Sequence, residues 1–343
     1  MIDWRLARRI ARSVAGGPGA VPTLPGDLDA MAADAERRVV AYTGLTPSGP
    51  LPAPEAVGRP QWADINIEGM AKILDPVADR LEPKGALAGV MRPVAGTLIA
   101  AEVGGLTGLL SQRVLGQYEL VLLDPDSPTR LLFVAPNLLD AAQKLAVDRE
   151  QLVAWVAFHE VTHAVQFTSV PWLREHLAGL LRQLLDTIDV KIDWGGAAKL
   201  PSRADIEELV ARVRQDGLVM LMAGPERRAL IDQLQAVMAV IEGHAEHVMD
   251  AVGRDVLSDL DELRSALNRR RADRSGMWRV LEKLLGLEMK LRQYEVGKRF
   301  CDVVVEKTDV ETLHRVFESP ESLPTWAELQ DPDAWLARAP AAP

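Results

Sequence analysis

A stretch near position 160 places two imidazoles and a carboxylate within about one turn of a predicted buried helix. It reads His159-Glu160-Val-Thr-His163. Residues four apart in an α-helix lie on the same face, so both histidines can direct a ring nitrogen at one ion. The flanking residues are apolar nearly all round, and polar groups in such a place are costly to desolvate unless something pairs with them. Metal ligation is therefore favoured over the alternative, a hydrogen-bonded polar cluster in the core.

Signals for the start of this helix precede the motif. Asp148 is suited to the N-cap position, and Gln151 stands where a capping box has its second member. Glu160 directly follows the first histidine, which suits a carboxylate that holds and deprotonates a metal-bound water without ligating the metal. This is the His-Glu-x-x-His arrangement of zinc hydrolases. The sequence therefore predicts Zn²⁺ as a cofactor, with half of its site on this helix.

A three-ligand catalytic zinc site needs one more side chain, and a second predicted helix offers Glu242-Gly-His-Ala-Glu246. If Glu242 binds the metal, Glu246 is placed one turn later to hydrogen-bond a ligand histidine. In a rival register Glu246 is the ligand and Asp250 supports it, because these two are also four apart. Gly243 would let two helices approach closely. His244 lies about 200° round the helix from Glu242 and is interpreted as a core or rim histidine.

These two segments resemble the glutamate-type zincins, metallopeptidases in which His-Glu-x-x-His on one helix is completed by a glutamate on a later helix. The resemblance makes His159, His163 and Glu242 the metal ligands. It makes Glu160 the general base and Glu246 a supporting carboxylate, where the thermolysin-like pattern has aspartate. Other segments resemble one bacterial family of zincin-like metallopeptidases labelled as associated with deazaflavin coenzyme biosynthesis: Leu115-Gly-Gln-Tyr118, Val134-Ala-Pro-Asn137-Leu138, Leu284-Leu-Gly-Leu-Glu-Met-Lys290-Leu-Arg-Gln-Tyr294 and Leu323-Pro-Thr325.

The leading hypothesis is hydrolysis of an amide bond in a peptide or a small amide substrate. Glu160 would take a proton from zinc-bound water and pass it to the leaving amine. An oxyanion donor is also required, and Tyr294 is the catalytic candidate, with Lys290 and His247 as further ones. Two alternatives stay open. One is a helical binding or scaffold protein with a structural or vestigial metal site, and the other is an amidohydrolase acting on non-peptide substrates.

Composition argues against several other classes of protein. A net charge of −10 disfavours nucleic acid as a partner, because binding phosphates requires a dominant basic face. The single cysteine, Cys301, cannot form an internal disulfide, and the N-terminal segment has no apolar core typical of a secretory signal, so a cytoplasmic location is expected. Residues 85–116 are rich in small and apolar side chains, but charged residues interrupt them. Closely packed helices are therefore predicted there, and not a membrane span.

Apolar periodicity predicts a mainly α fold with a small β-hairpin or sheet (α+β) and a zincin-like pair of active-site helices. The hairpin is expected at residues 118–123 and 130–135, around an Asp-Pro-Asp-Ser-Pro turn. Its position just before the motif helix would let a strand edge bind an extended substrate. The oligomeric state stays open. Three segments are expected: an N-terminal helical segment packing on the core at 1–80, a zincin-like catalytic domain at 81–320 and a C-terminal extension at 321–343.

Overall fold

The structure, a computed structural model, describes residues 2–78, 88–187, 225–254, 256, 260–272 and 292–338. Helices dominate these residues, and a three-stranded sheet lies among them. The predicted fold class, mainly α with a small sheet, is confirmed, whereas the division into three segments stays a prediction. The described helices and strands are, in chain order, α1 (Trp4–Val14), α2 (Leu28–Thr43), β1 (Pro54–Val57), α3 (Arg59–Ala78), α4 (Ala88–Ser111), β2 (Gly116–Glu119), β3 (Arg130–Val134), α5 (Ala135–Leu145), α6 (Arg149–Ser169), α7 (Pro171–Asp186), α8 (Pro225–Gly253), α9 (Leu260–Ala272), α10 (Arg292–Lys307), α11 (Val310–His314), α12 (Trp326–Gln330) and α13 (Pro332–Arg338).

The sheet has the strand order β1-β3-β2. Strands β2 and β3 pair antiparallel, with Tyr118 opposite Leu131, so the predicted hairpin is present. Its first strand is shorter than predicted and begins two residues earlier, at Gly116–Glu119. Strand β1 pairs parallel to β3, with Glu55 opposite Leu132. The sequence pattern did not indicate β1, because its four residues follow a proline-rich stretch and its partner lies far along the chain. Since β3 is the central strand of the described sheet, β2 is an edge strand.

Strand β3 separates two layers of helices, because successive side chains of a strand point to opposite faces of the sheet. Leu131 and Phe133 join the core formed with α2, α5 and α6. Leu132 and Val134 join the core formed with α1, α3 and α4. These four residues are at most 1% exposed. This burial on both faces explains why they form an uninterrupted apolar run in the sequence.

Helix α6 carries the histidine motif through the centre of the protein. Its N-terminus is capped as predicted, since the Asp148 side chain accepts a hydrogen bond of 2.9 Å from the Gln151 N–H. Strand β2 and helices α2, α5 and α8 pack around it. Most residues from Leu152 to Gln166 are buried, including Glu160, His163 and Gln166, whereas His159 is partly buried. The motif therefore lies in the interior that its apolar neighbours predict.

Small residues let α4 pack closely against α1, as expected for this glycine-rich segment. A Cβ added at Gly108 would lie 2.8 Å from the Ala11 carbonyl oxygen, and one at Gly104 would meet the Ala7 carbonyl. The two backbones are in direct contact at these glycines. Among the residues that the structure describes, no helix combines the length and apolarity that crossing a bilayer requires.

Candidate metal centre

Two helices bring three possible metal ligands together. His159 and His163 come from α6, and Glu242 comes from α8. The two histidine Nε2 atoms are 3.2 Å apart, and the Glu242 Oε2 lies 3.7 Å from the first and 3.5 Å from the second. Within the described part of the chain, this is the group of three or more His, Cys, Asp or Glu side chains close enough to hold one ion.

The donor atoms fit a small divalent cation. Tetrahedral zinc, with bonds of about 2.0–2.1 Å to nitrogen and oxygen, keeps its ligand atoms about 3.3 Å apart. The three separations of 3.2–3.7 Å lie near this value. Two imidazoles and one carboxylate also form a donor set that catalytic zinc sites use. The three side chains are 11–18% exposed, so a small ligand can reach the centre from solvent.

Neighbouring side chains orient both imidazoles so that Nε2 faces the centre. The Nδ1 of His163 is 3.0 Å from the Gln166 Oε1. The Nδ1 of His159 is 3.2 Å from the Met249 sulfur, and its ring stacks parallel to Trp155 with centroids 6.0 Å apart. Contacts of this kind, which hold the second ring nitrogen, commonly fix the direction of a ligand histidine.

Charge interactions hold His163 in its protonated form in the absence of an ion. Burial lowers the pKa of His163, but the charge and hydrogen bond of Glu242, with the charge of Glu160 and the hydrogen bond of Gln166, together outweigh burial and raise the pKa to about 9. A cation that takes the place of this proton would meet the same negative environment. The centre therefore favours positive charge, whether it is a proton or a metal ion.

Glu160 is buried beside the centre and contacts the edge of the sheet. Its Oε2 accepts a hydrogen bond of 2.8 Å from the Tyr118 backbone N–H. Burial raises the pKa of Glu160 to about 7, and although His163 and the Tyr118 N–H oppose this rise, Glu242 adds to it. A carboxylate with a pKa near neutrality can both accept and release a proton at physiological pH.

Gly116 allows strand β2 to lie directly against the motif helix. A Cβ at this position would be 2.6 Å from the Val156 Cγ1 and 2.7 Å from the Glu160 Cγ. Any larger residue would push the strand away from the helix. The Tyr118 N–H then could not reach Glu160, so this glycine contributes to the position of the carboxylate.

Glu246, the predicted supporting carboxylate, is buried one turn after Glu242. Its Oε2 lies 3.9 Å from an Arg264 guanidinium nitrogen. Asp250, which the rival register pairs with Glu246, forms ion pairs with Arg264 and with Lys298, the latter at 2.9 Å. The structure therefore brings Glu242, and not Glu246, to the two histidines. The supporting role of Glu246 towards a ligand histidine stays a prediction.

The residue after Glu242 sits at a close crossing of α8 and α10. A Cβ at Gly243 would overlap the backbone of Gly297, and a Cβ at Gly297 would overlap the Ala239 carbonyl. The close helix approach predicted for Gly243 is confirmed. This crossing restricts how α8 can shift, and so helps to set the position of Glu242 relative to α6.

The other histidines of the second motif make contacts outside the centre. His244 is fully buried, packs edge-on against His314 and Phe317, and has its pKa lowered well below the usual value by burial and by neighbouring histidines. The prediction of a core histidine is confirmed. His247 places Nε2 2.8 Å from the Tyr42 hydroxyl and Nδ1 2.8 Å from Asp302. As both ring nitrogens are engaged, His247 is a poor candidate for an oxyanion donor.

The remaining oxyanion candidates, Lys290 and Tyr294, stay predictions. Lys290 lies outside the described residues. Tyr294 lies in the first turn of α10, where the structure describes the backbone alone. Sequence reasoning missed Gln166 and the Tyr118 N–H, both of which contact functional side chains. Helical periodicity could have indicated Gln166, three residues after His163, whereas no sequence pattern identifies a backbone donor.

Comparison with known proteins agrees with this geometry. A family model described as zincin-like metallopeptidase matches residues 2–336. A crystal structure from Chloroflexus aurantiacus, described as a "putative hydrolase with a novel fold", aligns with a TM-score of 0.72 at 29% identity and covers 98% of each chain. No protein with a curated description matches this chain. Because the family model spans nearly the whole sequence, and because the resemblance seen in the motifs agrees with it, the chain belongs to the zincin-like metallopeptidase family.

Proposed function

We propose that this protein is a zinc-dependent hydrolase that cleaves an amide bond, with a peptide as the expected substrate. One observation carries the proposal: His159, His163 and Glu242 converge from two helices with donor separations suited to one zinc ion. Family membership supports a metal-dependent hydrolase, and the presence of a buried carboxylate directly beside the ligands supports catalysis over a purely structural site.

In the proposed reaction, His159, His163 and Glu242 hold the ion. When bound, zinc supplies a Lewis acid that lowers the pKa of water and polarises a carbonyl oxygen. Glu160 is the base: it accepts a proton from the attacking water at a carboxylate oxygen and delivers it to the leaving amine. The Tyr118 N–H occupies the Oε2 of Glu160 and thereby holds the carboxylate in a fixed orientation throughout these steps.

The edge of strand β2 supports a peptide as the substrate. In an antiparallel pair, alternate residues direct their backbone groups away from the partner strand. The Val134 N–H donates to the Leu115 carbonyl, so odd-numbered residues of β2 face β3, and Gly116 and Tyr118 face the free edge. The Tyr118 N–H is occupied by Glu160, so the groups of this edge that could pair with an extended peptide, added as a further strand, are the Gly116 N–H and the carbonyl oxygens of Gly116 and Tyr118.

Metal content tests the proposed site. We expect one zinc per chain by elemental analysis of the purified wild-type protein, and a decrease in zinc affinity of at least about 100-fold in Glu242→Ala, since one of three ligands is lost. Glu246→Ala tests the rival register: as a supporting carboxylate on the same helix, its loss should weaken zinc binding less than the loss of Glu242, by about 10–100-fold at most. If Glu246→Ala abolished binding and Glu242→Ala did not, the ligand assignment would be wrong. A wild-type protein that binds no zinc would contradict the proposed function.

Zinc binding is expected to be stronger at higher pH. The metal-free His163 has a pKa raised to about 9, so at pH 7 it carries a proton that zinc must displace. Apparent affinity should therefore rise by up to about tenfold per pH unit from pH 6.5 to about 9, and then level off. Calorimetric titration in two buffers with different ionisation enthalpies measures the released protons. Affinity that is independent of pH over this range would contradict the expectation.

A further inference from the structure

Gln166 is a fully buried amide that connects the two helices of the centre. Its Oε1 lies 3.0 Å from the His163 Nδ1 on its own helix. Its Nε2 lies 3.0 Å from the Ile241 carbonyl oxygen and 2.8 Å from the His244 Nδ1, both on α8. All the hydrogen-bonding groups of this side chain except a second lone pair of the oxygen are therefore engaged.

The Ile241 carbonyl determines which way the amide points. A backbone carbonyl can only accept a hydrogen bond, so the group facing it must be the amide nitrogen. With the nitrogen on that side, the amide oxygen must face His163. Since this oxygen only accepts, the His163 Nδ1 must carry the hydrogen in the bond between them. The contacts therefore fix both the amide orientation and the proton-bearing nitrogen of the ligand.

This arrangement leaves the other nitrogen of His163 for the centre. The lone pair of a neutral imidazole with hydrogen on Nδ1 is on Nε2, and this is the atom that lies 3.5 Å from Glu242 and 3.2 Å from the His159 Nε2. Gln166 also bonds to Ile241, the residue immediately before Glu242. One side chain thus acts on a ligand of each helix.

We infer that Gln166 is the positioning residue of the metal centre: its amide fixes His163 with Nε2 available for the metal, and it holds the Glu242 segment of α8 against α6. The inference rests on the proposed metal site. His244 contributes by accepting from the same amide group, and its own place is fixed by packing against His314 and Phe317. An amide fills the place that a carboxylate often takes behind a ligand histidine, without adding a buried charge.

Two substitutions separate the contact to His163 from the contacts to α8. Gln166→Glu keeps an acceptor for the His163 Nδ1, whereas Gln166→Met keeps the length of the side chain and removes every hydrogen bond. We expect Gln166→Met to weaken zinc binding by about 10–100-fold, the usual effect of losing such a partner, and Gln166→Glu to retain affinity within about tenfold of wild type. Gln143→Met, at an exposed position on α5, is the control for the substitution itself and should bind zinc like wild type.

A spectroscopic readout distinguishes positioning from a structural role. Cobalt replaces zinc in such centres and reports ligand geometry through its visible absorption. We expect an altered cobalt spectrum for folded Gln166→Met and a smaller change for Gln166→Glu, which keeps the acceptor for His163 but loses the N–H bonds to α8. A merely structural role would lower the thermal stability of both variants and leave the spectrum of the folded fraction unchanged. Wild-type affinity and spectrum in Gln166→Met, or an equal loss of affinity in both variants, would overturn the inference.

The wild-type protein provides a test that does not depend on a variant folding. Nitrogen-15 NMR of histidine-labelled, zinc-loaded protein identifies which ring nitrogen carries hydrogen and which binds the ion. We expect His163 to have hydrogen on Nδ1 and metal on Nε2, and metal on Nδ1 would overturn the inference. A wild-type protein that takes up no zinc would instead contradict the proposed function, so the two failures are distinguishable.

Discussion

Replacing Glu160 by glutamine is expected to reduce amide hydrolysis by about 10²–10⁴-fold, the usual contribution of a general base. Glutamine has nearly the same shape and keeps an oxygen for the Tyr118 N–H, but it cannot take up the proton of the attacking water. Zinc content should stay at the wild-type level, because Glu160 is not among the converging ligands. The assay is cleavage of a panel of unstructured peptides and N-acyl amides, followed by mass spectrometry.

A matched control for this substitution is Glu150→Gln, in an exposed position of the first turn of the same helix. It should leave cleavage unchanged.

Burial raises the pKa of Glu160 to about 7, so between pH 4.5 and 7 the unfolded chain loses this proton before the folded one does, and folding stability falls as pH rises. At pH 8 metal-free Glu160→Gln should therefore be at least as stable as wild type. Full hydrolytic activity in Glu160→Gln would contradict the role of Glu160 as general base.

Replacing Gly243 by alanine is expected to lower the free energy of unfolding by about 3 kcal/mol or more, towards the upper end for overpacked sites. The added Cβ would overlap the backbone of Gly297, and two helix backbones cannot separate without losing the contacts around them. Alanine by itself favours a helix by roughly 1 kcal/mol over glycine, so the overlap must outweigh this gain. Urea denaturation of the metal-free protein measures the difference.

The matched control is Gly179→Ala in the middle of α7. A Cβ at Gly179 would meet nothing within 4 Å, so only the helix preference remains and this variant should be more stable by about 0.5–1 kcal/mol. Opposite signs for the same substitution at two helical glycines would show that the crossing of α8 and α10 is responsible. Equal effects at both positions would mean that the crossing can relax.

The sequence was sufficient to predict the motif helix, the family and the residues that converge, because these depend on local spacing. Four-residue steps place His159 and His163 on one face of a helix whatever the rest of the chain does. The choice of Glu242 over Glu246 rested on the resemblance of the Glu242 segment to other zincins, and it agrees with the side chain that the structure brings to the histidines.

Features that depend on distant packing could not be predicted in the same way. Strand β1 has four residues and gains its structure from pairing with β3, so its own sequence carries little signal. The hydrogen bond from the Tyr118 N–H to Glu160 involves a backbone group, which every residue but proline possesses. The three contacts of Gln166 require the relative position of two helices, and no spacing within α6 contains that information.

The parallel pairing of β1 with β3 has a consequence for how the protein folds. Positions 55 and 132 are neighbours in the sheet, so the chain between them, including α3 and α4, must be gathered into a loop before this pair can form. Closing such a loop costs entropy before any contact compensates for it, and topologies of this kind fold slowly. During synthesis on the ribosome, β1 cannot pair until β3 has emerged. Strand β2, the edge strand beside Glu160, also pairs with β3 and can complete this pairing only after that point.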